Sequence, residues 1–233
     1  METEEIREKK EPKRLPVWAC ILLFALGLFV CMGLYGTIGF GLLSLILGDE
    51  ARHPGLLVYT VTEANMLLSV LTPAVILLYF ERRPFSDLGL TLKGHVRGLW
   101  YGLLVAMLLY LIGFGLSLAI GEVEVTGFQF DPLNLLGTFV FCLLVALTEE
   151  IMMRGYILGR LLHTRMNKFL ALFVSALLFA LLHIFNPNVA FLPMLNLVIA
   201  GMLIGASYLY TRNLCFPISL HLFWNWIQGP ILG

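Results

Sequence analysis

Charge is scarce in this sequence. Only 13% of its 233 residues are charged, against about 25% in a typical soluble domain. Lys+Arg (15) cancel Asp+Glu (15), so no excess of either sign points to nucleic acid or an acidic partner. Cysteine is scarce too. Cys20, Cys31, Cys142 and Cys215 lie in or beside apolar runs, where they read as small buried hydrophobes and exclude a disulfide scaffold. No small-residue cleavage site follows the first apolar stretch, which at Leu15–Leu47 is far longer than the core of a signal peptide. The i,i+4 His-Glu-x-x-His pair of zinc peptidases and the Gly-x-Gly-Asp of intramembrane aspartyl proteases are both absent.

Apolar length is abundant. Hydrophobic residues make up 59% of the chain, and a run of roughly 18 or more reads as a spanning helix. Seven segments emerge: Leu15–Leu47, Leu56–Phe80, Gly98–Gly121, Asn134–Leu162, Lys168–Asn186, Phe191–Tyr210 and Leu214–Leu232. The expected fold is all-α: a polytopic integral membrane protein of about seven transmembrane helices. Eight is the alternative if the glycine-bearing first segment is split. Positive charge orients the bundle. Lys and Arg fall in tail 1–14, in Glu81–Arg97, around Arg154–Lys168 and at Arg212, while Arg52 stands alone on the other side. Splitting the first segment would put the basic tail outside. Seven spans with a cytoplasmic N-terminus in the cell membrane are therefore expected. Residues 1–14 form a charged cytoplasmic tail, 15–133 the N-terminal helices and 134–233 a four-helix catalytic core.

Ionisable groups inside hydrocarbon are costly and mark function by default. Few occur: Glu149, Glu150 and Arg154 in segment four, His183 in five, His221 with Asn225 in seven, and Glu63 with Asn65 in two. Glu150 and Arg154 are i,i+4 and can pair. Adjacent helical residues differ by about 100°, so Glu149 is left without a local cation. His221 and Asn225 share a face. At about 1.5 Å per residue, Glu149 lies roughly 20 Å from the inside end of its segment, His183 roughly 22 Å and Asn225 about 19 Å. Three helices thus bring polar residues to one layer, and the site is expected to open to the inside. A carboxylate and an imidazole around one water can serve as general base and acid. A second imidazole and an amide can hydrogen-bond an oxyanion. These parts suit hydrolysis of an amide bond.

The spacing Glu149-Glu150-x-x-x-Arg154, Phe179-x-x-x-His183 and His221-x-x-x-Asn225 resembles the CPBP family of intramembrane proteases, which includes CAAX-box prenyl endopeptidases and bacteriocin-processing, Abi-type proteins. A weaker echo lies at RRPFSDLGL (Arg82–Leu90), and the glycine-bearing stretch before His221 is similar as well. The resemblance implies an intramembrane endopeptidase acting on a membrane-embedded or lipidated protein or peptide. Glu149 and His183 would activate water, His221 and Asn225 would support the oxyanion, and Glu150–Arg154 would be a structural ion pair. No cofactor is expected. Zinc is the alternative, with Glu149, His183 and His221 as its three ligands.

Competing readings follow from the same residues. Intramembrane Glu and His also serve proton relays, so a small proton-coupled transporter is the runner-up, although no inverted repeat is visible. A non-catalytic immunity or scaffold protein of the same fold is the third. Ser117 and Ser207 follow Gly-x but lack the next glycine of serine-type motifs. Asn196 is expected to bond between helices, and Gly201-x-x-x-Gly205 to mark a close helix contact.

Overall fold

The structure is a computed structural model that describes residues 15–187 and 189–233. The charged tail expected at 1–14 lies outside the described residues. Among those described, the chain is helical throughout with no strand. Helix α1 spans Val17–Leu47, α2 Leu56–Phe80, α3 Val96–Ala119 and α4 Pro132–Glu150. The α4 rod continues through a π-helical stretch, Ile151–Leu158, to a last turn at Gly159–Leu161. Then come α5 (Lys168–Leu182), α6 (Phe191–Thr211) and α7 (Cys215–Trp226), the last ending in π-helical Ile227–Ile231.

The α4 rod starts sharply. Asp131 accepts hydrogen bonds from the Leu133 and Asn134 amides, and Pro132 takes the first helical position, where its missing N–H costs nothing. Five rods are long and apolar enough to cross a membrane: α1, α2, α3, the α4 run and α6. With α5 and α7 packed among them, this is a polytopic all-α membrane protein. Large apolar side chains cover its outer faces, including Phe29, Val30, Tyr79 and Leu111, as contact with lipid requires. Helix α5 has 15 residues, roughly 22 Å of rise against a hydrocarbon core of about 30 Å.

Sequence analysis carried the fifth helix through His183 to Asn186. The helix stops instead at Leu182, and His183 sits in the bridge conformation at its cap. Pro187 disfavours helical geometry in the residue before it, and the chain turns through His183–Asn186.

Two glycines set the closest approaches. A Cβ on Gly102 of α3 would lie 2.6 Å from the Leu220 backbone nitrogen in α7. One on Gly201 of α6 would lie 3.1 Å from Ala176 of α5, which makes the Gly201-x-x-x-Gly205 face the helix contact anticipated. Asn196 instead faces outward and exposed. Its position on α6 points away from the neighbours that an interhelical hydrogen bond would need.

The bundle has two unlike ends. At one end lie Arg82, Arg83, Lys93, Arg97, Arg160, Arg165, Lys168 and Arg212. This end is tightly closed. Glu81 binds Arg160 and the Cys20 thiol, and Arg83 approaches it at 3.6 Å. The Leu214 amide donates to Gly89 at 2.9 Å and Asn213 donates to Thr91 at 2.7 Å, tying the Arg82–Leu90 segment to the start of α7. Phe24, Leu88, Tyr156, Tyr208 and Leu214 form its apolar core. The other end carries Asp49, Glu50, Glu122, Glu124 and Asp131 with Arg52 as its lone cation among the described residues.

Candidate active site

Four of the expected site residues converge where α4, α5 and α7 meet. Glu149 faces a void, with its side chain 22% exposed, while its neighbour Glu150 is fully buried. Successive helical positions diverge by about 100°, so the two carboxylates look into different surroundings. Glu149 lies 3.9 Å from His183 Nε2 and 3.7 Å from His221 Nε2. A water seated off either line can reach both partners at about 2.8 Å.

Glu150 does more than pair with Arg154. One of its oxygens accepts from Arg154 Nη1 at 2.8 Å and also from His221 Nδ1 at 2.8 Å. A carboxylate can only accept, so Nδ1 carries a proton and Nε2 is the nitrogen turned to Glu149. Arg154 also donates to the Gly201 carbonyl at 3.0 Å and lies 4.7 Å over the Phe179 ring. Phe179 in turn packs on both histidines, at 4.8 Å from His183 and 6.2 Å from His221. His183 Nδ1 is 2.9 Å from the Phe179 carbonyl, so it too donates and turns Nε2 to Glu149. With both nitrogens protonated, His221 donates from Nδ1 to Glu150 and from Nε2 into the void.

Asn225 lies one turn beyond His221. Its side chain makes no hydrogen bond among the described residues and lines both voids that meet at Glu149 and His183. The smaller void, about 130 Å³, runs between α5, α6 and α7 past Leu197, Ala200 and Leu203. The larger, about 670 Å³, runs from Glu149 and Asn225 past Cys142 and Thr138 to Leu56 and Gly233. Those last residues belong to the acidic end. The site therefore opens away from the basic end and not towards it as expected from sequence. The basic end is shut by the Glu81 cluster and the Gly89–Leu214 tie, whereas the short α5 leaves the other half open.

Glu63 of α2 is half-buried and lines a separate groove between α1 and α2 with Asn65 and Ser69. The π-helical stretch after Glu150 has no signature in the sequence. All eight of its residues are buried, and its Met153 carbonyl accepts from Ser175 of α5 at 3.0 Å. Ser207 bonds its own helix at Ile204 and lies outside both voids of the site. No group of three or more His, Cys, Asp or Glu among the described residues is arranged to hold a metal ion. Glu149, His183 and His221 are close, but as they stand they do not form a ready zinc cage.

Within an all-α membrane bundle, a carboxylate thus faces two imidazoles, with an amide beside the same void. Residues 131–227 match the family model described as type II CAAX prenyl endopeptidase, Rce1-like. The matched segment runs from the cap of α4 through α7 and contains every residue of the site. The family resemblance read from the three motifs is borne out over this segment. No curated protein and no solved structure matches the chain significantly.

Proposed function

We propose that this protein hydrolyses a peptide bond of a membrane-associated polypeptide, with water activated by Glu149 and His183. One observation carries the reading. Glu149, uncompensated by any cation on its own helix, faces Nε2 of two histidines on a wall shared by two voids, and the Asn225 amide lines the same wall.

Water between Glu149 and His183 gives a proton to the carboxylate as its oxygen attacks the scissile carbonyl carbon. The carbonyl oxygen becomes an oxyanion and accepts from the Asn225 amide and from His221 Nε2–H. The C–N bond then breaks, and the proton held by Glu149 passes to the leaving amine. Arg154 holds Glu150, and Glu150 holds His221, so this pair positions the imidazole in addition to filling the core. In this reading the N-terminus is cytoplasmic, which the segregation of positive charge supports. The test compares peptide fragments from membranes holding the wild type with those holding Glu149→Gln. Fragments present only with the wild type support the reading; identical fragment sets sink it.

A further inference from the structure

From the charge on the two ends and the path of the larger void, we infer that the site is loaded from the non-cytoplasmic half of the membrane. Its substrate is then a membrane-inserted or translocated polypeptide, whose cleaved segment lies in that half, and not a protein held by lipid on the cytoplasmic face. The inference rests on the peptidase reading for the word substrate, but its geometry is independent of catalysis.

Positive charge accumulates on the cytoplasmic side of membrane proteins. Eight Lys and Arg residues stand at one end of the described bundle and Arg52 alone at the other. At the basic end Glu81 with Arg160, Cys20 and Arg83, and the Gly89–Leu214 tie, join the helices, and the void of about 270 Å³ beside His95, Arg97 and Asn213 touches none of the site residues. The void of about 670 Å³ instead joins Glu149 to Thr138, Leu56 and Gly233. These residues lie towards the start of α4, the start of α2 and the end of α7, all at the acidic end. Helix α5 spans only about three quarters of the hydrocarbon thickness, and His183 is at its tip, so the bilayer beyond it lacks a helix in front of the site. Phe128, Phe130, Phe185 and Phe191 are exposed in the loops and helix start of the same end, at 66% or more. An aromatic rim of this kind sits at a membrane–water interface and would hold the cleft mouth within one leaflet.

The experiment reads sidedness directly. The four native cysteines are replaced, and single cysteines are introduced by Thr138→Cys and Tyr59→Cys in the cleft and by Ser86→Cys at the basic end. Each is exposed to a membrane-impermeant maleimide in sealed right-side-out and inverted vesicles. Thr138→Cys and Tyr59→Cys should react several-fold faster in right-side-out vesicles, and Ser86→Cys in inverted ones. Cleft cysteines that react only in inverted vesicles, on the same face as Ser86→Cys, or on neither face would overturn the inference. Fragment comparison with Glu149→Gln runs alongside. Correct sidedness with no Glu149-dependent fragments would keep the entry side and remove the peptidase reading. Glu149-dependent fragments with the wrong sidedness would do the reverse.

Discussion

Exchanging either carboxylate of the Glu149–Glu150 pair for its amide removes one charge and almost no volume, yet the two exchanges should differ. Glu149→Gln should abolish cleavage while thermal stability in detergent holds, because its side chain faces a void and supports no other residue. Glu150→Gln should lower both. It strips the carboxylate from a buried Arg154 and from His221 Nδ1, and breaking a buried pair costs about 3–5 kcal/mol. Equal melting temperatures for the two variants would refute the division. Asn225→Ala should slow single-turnover cleavage by about a hundred- to a thousand-fold with little change in substrate binding, since the amide is used only as the oxyanion forms. An unchanged rate would move weight to a proton relay. Cleavage should also survive exhaustive chelation, with elemental analysis finding well under one zinc per chain. Loss on chelation with recovery by zinc would make Glu149, His183 and His221 ligands. The three motifs and their shared depth were legible in the sequence because each is local to one helix. The Glu150–His221 bond was not, because its partners are 71 residues apart and no spacing rule joins them.

At the scale of elements, apolar length was enough to find all seven rods, because hydrocarbon demands it of each. Their ends were less legible. The fifth looked longer because Ile184 and Phe185 are as apolar as the helix before them, and only Pro187 marks the stop. The π-helical stretch left no trace, since nothing in the spacing of its eight residues separates it from an α-helix. Side-chain size at helix crossings is where elements respond most sharply. Gly102→Ala should destabilise the protein by about 1–3 kcal/mol, because the new methyl would meet the α7 backbone 2.6 Å from Leu220 nitrogen and 2.9 Å from Phe216 oxygen. That backbone cannot move without shifting His221 one residue on, so activity should fall with the melting temperature. A melting temperature equal to that of the wild type would contradict this packing.

Across the whole molecule, the segment bearing the site is not self-sufficient. Helix α4 packs on α2 and α7 packs on α3, Arg160 finds its carboxylate on Glu81, and the Tyr156 ring stacks on Phe24 at 4.3 Å. Residues 134–233 expressed alone should therefore aggregate in detergent and show no cleavage, whereas the full chain elutes as a single species. A monodisperse, active fragment would show the first three helices to be dispensable. The end at which the cleft opens was misjudged from sequence. Depth along each helix could be computed from residue spacing, but which end is plugged depends on contacts such as Gly89 with Leu214, made between distant parts of the chain.

The π-helical stretch also works as a phase shift. A π-turn is an α-turn carrying one extra residue, and each residue of an α-helix advances the rod by about 100°. Residues 151–158 thus decouple the azimuth of the two functions that one rod must serve. Upstream, Glu149 and Glu150 are aimed at the histidines. Downstream, Arg160 is aimed at Glu81 on a bearing that an unbroken α-helix would not give it. Deleting one residue after Arg154, such as Ile157, would restore ordinary winding and swing Arg160 by about 100°. The carboxylates would keep their aim, but the rod would lose its anchor at the basic end.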